Sequence, residues 1–226
     1  MTITRQTGLL PDLFDDLGAP ALSVPPVAVP GLTVLRGLAT PQDRALLAAV
    51  DAITAGAPFR HLVTPGGYTM SVAMTNCGRL GWVSDRAGYR YDPRDPQTGR
   101  PWPAMPDLFT CLALRAADAA GFADFVPDAC LINLYEPGAK LSLHQDRDEG
   151  DFTAPIVSVS LGLPATFLFG GLKRTDRQMP VPLIHGDVAV WGGPWRLAYH
   201  GVRVLKAGTH PLLGARRINL TFRKAV

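Results

Sequence analysis

The stretch Lys140-Leu141-Ser142-Leu143-His144-Gln145-Asp146 alternates apolar and polar residues, so it reads as a strand with Leu141 and Leu143 on one face and His144 and Asp146 on the other. It is one of a series of similar short runs that begins near Ala129. Leu131–Tyr135 precedes it, and Ile156–Leu161, Thr166–Phe169, Val181–Ile184, Asp187–Trp191, Tyr199–Val204 and Arg217–Arg223 follow, each closed by glycine, proline or polar turn residues. Short strands at this regular spacing predict a double-sheet jelly roll, that is, a double-stranded β-helix.

Upstream the pattern differs. Thr40-Pro41-Gln42-Asp43 looks like a helix start, with Thr40 as cap, and Leu46, Leu47, Val50 and Ile53 then share one face until Gly56 and Pro58. A second helix is expected over Pro106–Ala120, with Leu108, Cys111, Leu112 and Arg115 on one face and Gly121 closing it. Between them, residues 68–105 are rich in aromatic and turn residues (Tyr68, Trp82, Tyr89, Tyr91, then Asp92 to Pro103) and read as hairpins followed by a long loop. Residues 1–30, with Leu9–Phe14 and the proline-rich Pro20–Pro30, read as an extended arm. The expected class is therefore mainly β with flanking helices, in one domain spanning 1–226: an arm over about 1–40, helices and hairpins over 41–128, and the jelly-roll core over 129–226.

Composition agrees with a single packed domain, since 226 residues with 47% hydrophobic and 18% charged side chains can bury a sizeable core. The 22 basic against 19 acidic side chains permit a polyanionic partner without requiring one. The three cysteines, Cys77, Cys111 and Cys130, form no C-x-x-C pair, which disfavours a disulfide scaffold and structural zinc. The N-terminus has no leader pattern and no run of about 18 apolar residues occurs, so the expectation is a cytoplasmic protein that does not span a membrane.

Two clusters carry chemistry. His144 and Asp146 on one strand face, joined by His200 from the later run Ala198–Val202, supply two imidazoles and a carboxylate, the facial set that non-haem Fe(II) oxygenases use while leaving other positions open. An H-x-D pair with a distant histidine is also a common chance match. In Arg217-Ile218-Asn219-Leu220-Thr221-Phe222-Arg223, alternation sends Ile218, Leu220 and Phe222 one way and the polar residues the other. That polar face is either solvated or a carboxylate clamp, for which paired arginine forks suit a dicarboxylate, with Asn133 and Tyr135 as further donors.

The arrangement H-x-D at 144–146, His200, and Arg217-x-Asn219-x-x-x-Arg223 resembles the AlkB-type Fe(II)- and 2-oxoglutarate-dependent dioxygenases that repair alkylated nucleic acids. The likeness runs from about Thr64 to the C-terminus and includes Met74–Gly78, Asp95–Thr98, Trp102–Pro106, Asn133-x-Tyr135, Leu141–Glu149 and Asn219–Arg223; it is weaker over 1–40 and 175–183. The resemblance implies iron ligands at His144, Asp146 and His200, and 2-oxoglutarate contacts at Asn133, Tyr135, Arg217, Asn219 and Arg223, without saying which arginine takes which carboxylate. It further implies an N-terminal nucleotide-recognition lid, with Trp82, Tyr89 and Tyr91, joined by Asp148 and Arg174 from the core, as substrate contacts. The chemistry of those residues fits: a ring to stack on a flipped base, hydroxyls to reach phosphate, a carboxylate to accept from an exocyclic amine. The implied activity is O2-dependent demethylation of bases such as 1-methyladenine and 3-methylcytosine in single- or double-stranded DNA, with RNA as a further substrate, by a monomer. A small-molecule or protein hydroxylase on the same scaffold, or a non-catalytic nucleic-acid binder, are the alternatives.

Overall fold

The computed structural model describes residues 29–226. The N-terminal half holds β1 (Leu32–Leu35), α1 (Asp43–Gly56), β2 (Arg60–Val63), β3 (Thr69–Gly78), the hairpin β4 (Gly81–Asp85) and β5 (Gly88–Asp92), and α2 (Asp107–Ala119). The C-terminal half is β6 (Ala129–Tyr135), β7 (Leu141–His144), β8 (Ile156–Gly162), β9 (Ala165–Phe169), β10 (Met179–Leu183), β11 (Val188–Trp191), β12 (His200–Val202) and β13 (Arg217–Arg223). All eight runs read from the sequence after Ala129 are strands. They divide between a seven-stranded sheet, in the order β1-β11-β8-β13-β6-β3-β2, and a four-stranded sheet, in the order β10-β9-β12-β7.

The larger sheet is buried on both faces, which decides the nature of β13. Its Ile218, Leu220 and Phe222 pack with α1 and α2 through Leu46, Val50, Ile53, Phe109 and Leu112. The opposite face meets the smaller sheet, where Phe167, Phe169, Val181 and Leu183 pack with Ile156, Trp191 and Tyr135. Arg217, Asn219, Thr221 and Arg223 are therefore buried between the sheets rather than solvated. Buried guanidinium groups without compensation are costly, so this face must serve a purpose other than packing.

Three expectations need correction. Thr40 makes no side-chain capping bond; it lies in a short 3-10 turn, Thr40–Gln42, with its hydroxyl against Gly186, whose φ of +85° and missing Cβ let the β10–β11 turn approach. On α2 the buried stripe is Phe109, Leu112, Ala113, Ala116 and Ala117, while Cys111 is exposed. Alanine gives little hydrophobic signal, yet small side chains let the helix lie close to the sheet while Phe109 meets Phe222 edge-on at 5.9 Å. The last part of the expected arm is also not free chain, because β1 pairs antiparallel with β11; Leu9–Phe14 and residues 20–28 lie outside the described residues.

The loop after β5 is tied down by its own polar groups. Asp95 takes the Arg60 guanidinium at 2.6 Å and the Gln97 backbone N–H at 2.9 Å, and the Trp102 indole donates to the Asp92 carbonyl at 2.9 Å. These contacts fix the base of the β4–β5 hairpin. Across that hairpin Trp82 lies opposite Tyr91 and Ser84 opposite Tyr89.

Candidate active site

His144 ends β7 and His200 begins β12, and the two residues are direct partners in the smaller sheet, with ring centroids 4.3 Å apart. Asp146 lies beyond the end of β7, so strand alternation does not place it beside His144. Its carboxylate nonetheless faces both imidazoles, with Oδ1 3.5 Å from His144 Nε2 and Oδ2 3.7 Å from His200 Nε2. One ligand atom from each residue lies within 4.8 Å of the others. Each imidazole is oriented by its other nitrogen, His144 Nδ1 at 2.8 Å from the Ser142 carbonyl and His200 Nδ1 at 2.9 Å from the Ala198 carbonyl. A carbonyl can only accept, so both Nδ1 atoms carry the proton and both Nε2 lone pairs point to the common centre.

Asp146 is held by arginines. Arg223 donates to its Oδ2 through Nε at 2.9 Å and Nη2 at 2.6 Å, and Arg196 Nη1 donates to its backbone carbonyl at 2.8 Å. Burial alone would raise the Asp146 carboxyl, but the Arg223 guanidinium beside it holds it well below the usual carboxylate range. The Arg223 guanidinium, which burial would weaken, is in turn kept firmly protonated by the carboxylates of Asp146 and Glu149. Glu149 completes the group, 3.4 Å from Arg223 Nε and 3.2 Å from Arg196 Nη2. Sequence reading missed Arg196 and Glu149 as members of the site. A second carboxylate three residues after Asp146 was the one available signal, since Arg196 sits in an irregular turn with no periodicity.

Burial, reinforced by His144 and opposed by Asp146, pushes the His200 imidazole down to about 3. An unfolded histidine titrates near 6.5, so between about pH 6.5 and 3 the unfolded chain binds a proton that the folded chain does not. The stability of the metal-free protein should therefore fall as pH drops through that window, by at most ~1.4 kcal/mol per pH unit from this group. Urea unfolding at pH 7 and pH 5 checks it: the midpoint should be lower at pH 5, and the difference should shrink in His200→Asn. An undiminished difference in that variant would assign the effect elsewhere.

The inner end of the site is built on β13 and β6. Arg217 Nη2 donates to Ser160 Oγ at 3.1 Å and its guanidinium lies 4.9 Å over the Tyr135 ring, but its buried Nε and Nη1 meet no hydrogen-bond partner among the described residues. The Asn133 carbonyl oxygen is likewise buried and unpartnered. Asn219 is committed differently, its amide donating at 2.8 Å to both Ser158 Oγ and the Val159 carbonyl. Of the two arginines expected to form a clamp, Arg217 keeps two nitrogens without a partner among the described residues and Arg223 is engaged by Asp146.

Every expected site residue except Tyr91 lines one cavity of about 690 Å3. Trp82 and Tyr89 stack at its mouth with centroids 5.6 Å apart and planes 12° apart, and the Trp82 indole donates to Asp148 Oδ2 at 2.8 Å. Arg174 lines the same cavity, joined by Lys140 and Arg147, which sequence reading had not singled out. Tyr91 is turned away from it, its hydroxyl donating to Glu149 Oε1 at 2.6 Å.

A jelly roll with two histidines and a carboxylate converging between its sheets, and a buried arginine with two unpartnered nitrogens in the same cavity, defines an iron- and keto-acid-dependent oxygenase. Comparison with known proteins agrees. Residues 31–223 match the 2OG-Fe(II) oxygenase superfamily. The chain is 62% identical over 195 residues to the alpha-ketoglutarate-dependent dioxygenase AlkB of Escherichia coli (strain K12), covering 86% of this chain and 90% of that protein. It is 47% identical over 214 residues to the AlkB homolog of Caulobacter vibrioides (strain NA1000 / CB15N), covering 92% and 94%. The solved structure of OsALKBH1 superposes with a TM-score of 0.77 at 29% identity, covering 87% of this chain and 98% of that one. The chain belongs to the AlkB family of Fe(II)- and 2-oxoglutarate-dependent dioxygenases, which makes Fe(II), 2-oxoglutarate and O2 its cofactor and cosubstrates. No helix among the described residues is long and apolar enough to cross a membrane.

Proposed function

We propose that this chain removes methyl groups oxidatively from N-alkylated bases of the 1-methyladenine and 3-methylcytosine type in DNA, with RNA a further substrate. It would act as a monomer in the cytoplasm, with residues 41–128 supplying the lid and 129–226 the catalytic core. The observation that carries this reading is the cavity itself, in which a convergent His144–Asp146–His200 set and the two unpartnered nitrogens of the buried Arg217 share one space with an aromatic and acidic mouth.

The residues fit the groups they would hold. Two neutral imidazoles and one ionised carboxylate suit Fe(II), and the orphan Nε and Nη1 of Arg217, beside Tyr135, suit one carboxylate of 2-oxoglutarate. Asn133, Asn219 and Arg223 line the same space and would complete the cosubstrate's surroundings. When bound, the iron and keto acid supply the oxidising chemistry that activates O2 toward an N-methyl C–H bond. The protein's part is positioning and exclusion of water. Trp82, backed by Tyr89, offers a flat face for a base withdrawn from its stack, Asp148 can accept from an exocyclic amine or face the positive charge of such lesions, and Arg174, Arg147 and Lys140 can reach phosphates. Replacing a methyl hydrogen by hydroxyl gives a hemiaminal, which loses formaldehyde and returns the normal base.

Trp82→Ala should leave 2-oxoglutarate binding unchanged and weaken binding of a single-stranded 3-methylcytosine oligonucleotide roughly five- to a hundredfold, the usual worth of a base–aromatic stack. The remaining affinity should fall with added salt, because basic residues at the mouth release counterions on binding phosphate. Binding of the oligonucleotide as tight as wild type and indifferent to salt would instead favour a small-molecule hydroxylase.

A further inference from the structure

Tyr91 shares a strand with Tyr89 and was expected to touch substrate, yet it faces a different partner. Its hydroxyl reaches Glu149 Oε1 at 2.6 Å, and that same oxygen stands 3.4 Å from Arg223 Nε, whose hydrogen is directed at Asp146 Oδ2 at 2.9 Å. Two buried carboxylates thus compete for one guanidinium. Glu149 is 6% exposed, Asp146 9% and Arg223 6%. Arg196 links the pair from the other side, its Nη2 in an ion pair 3.2 Å from Glu149 Oε2, which accepts no hydrogen bond among the described residues, its Nη1 donating to the Asp146 carbonyl at 2.8 Å and its Nε to the Ala154 carbonyl at 3.0 Å.

We infer that Tyr91, acting through Glu149, is a positioning residue for the iron ligand Asp146, not a contact for the nucleotide; the inference rests on the metal site proposed above. The phenol donates to Glu149 and satisfies the oxygen nearest Arg223, so that the guanidinium stays on Asp146 Oδ2. With Oδ2 pinned, Oδ1 is the oxygen left facing His144 Nε2, at 3.5 Å. Removing the phenol oxygen leaves Glu149 Oε1 short of a donor in a buried site, and the nearest replacement is Arg223. Arg223 then moves toward Glu149, and Asp146 loses the hydrogen bonds that fix its rotation. The Tyr91 hydroxyl remains a neutral donor throughout, since burial, with the adjacent Glu149 and Asp146, pushes it well above the ordinary phenol range against the pull of Arg223. Partners one step beyond a metal ligand commonly set affinity by ten- to a hundredfold, which is the scale expected here.

The test compares wild type, Tyr91→Phe, Glu149→Gln and the double variant in two arms. Metal affinity is read by anaerobic Fe(II) titration with 2-oxoglutarate, following the visible metal-to-ligand charge-transfer band, and by Mn(II) titration alone. Oligonucleotide affinity is read on metal-free protein with a single-stranded 3-methylcytosine probe. The expected result is that Tyr91→Phe weakens metal binding roughly tenfold or more and alters the band, that Glu149→Gln, which removes the competing charge, stays near wild type and restores binding when combined with Tyr91→Phe, and that oligonucleotide affinity stays within about twofold of wild type throughout. Unchanged metal binding in Tyr91→Phe, no recovery when Glu149→Gln is added to it, or an equal loss in the two arms as a displaced hairpin would give, overturns the inference. A wild-type protein that forms no such band overturns the underlying metal site as well, so the two failures are distinguishable.

Discussion

Arg217→Ala should raise the 2-oxoglutarate concentration needed for half-maximal turnover by roughly thirtyfold to several thousandfold, the equivalent of about 2 to 5 kcal/mol for a buried carboxylate left without its guanidinium. Arg217 is 1% exposed, and two of its three nitrogens have no partner among the described residues. The loss therefore falls on cosubstrate binding far more than on folding, and the variant should keep a cooperative unfolding transition. Arg217→Lys should recover only part of the affinity, since an ammonium carries the charge without the two-pronged geometry. Titration of 2-oxoglutarate against decarboxylation rate checks this, and an unchanged requirement in Arg217→Ala would remove Arg217 from the cosubstrate site. Arg223→Ala is expected to behave differently, damaging the metal site and stability together, because Arg223 is bound to Asp146 by two hydrogen bonds.

The same bonds separate the three candidate ligands. His144→Ala, Asp146→Ala and His200→Ala should each abolish turnover, but Asp146→Ala should also cost the metal-free protein the most stability, since Arg223 loses both hydrogen bonds to Oδ2 and keeps only Glu149 at 3.4 Å. The His144 side chain is 34% exposed and pairs only with the Ser142 carbonyl and, loosely, with Asp146, so its removal leaves the fold nearly as stable as before. Denaturant unfolding and 2-oxoglutarate decarboxylation on all three variants test the distinction. Equal stability losses would mean that Asp146 is not the counter-ion the geometry makes it, and residual turnover in any of the three would break the ligand set.

Legibility in the sequence followed the range of the forces involved. β13 was readable from end to end because one buried face and one chemically distinct face impose a strict period of two, and its pairing with β6 sets Asn219 directly opposite Asn133. The pairing of His144 with His200 was legible only in part. Each lies in an alternating run, but their partnership across β7 and β12 is a long-range contact. Asp146 stands beside the two histidines for a reason the sequence could not supply: the strand stops at His144, and two distant arginines, Arg196 and Arg223, hold the residue there. The alanine stripe of α2 and the pairing of β1 with β11 escaped for a related cause, since alanine carries little hydrophobic weight and the proline-rich flank of β1 resembles a linker. Tyr89 and Tyr91 look equivalent in sequence, two residues apart on one strand. A neighbouring carboxylate at 2.6 Å, invisible to periodicity, gives Tyr91 its own surroundings.

The measurement that bears most directly on the whole account is a single reaction. Protein is loaded anaerobically with Fe(II) and 2-oxoglutarate, mixed with a single-stranded 3-methylcytosine oligonucleotide and exposed to O2, and succinate, formaldehyde and the mass of the base are read together. Succinate and formaldehyde should appear in equal amounts with a base lighter by one CH2 unit, the methyl being replaced by hydrogen, and neither product should form when His144, Asp146 or His200 is replaced by alanine. Succinate formed at the same rate with and without the oligonucleotide, with the base mass unchanged, would contradict the account.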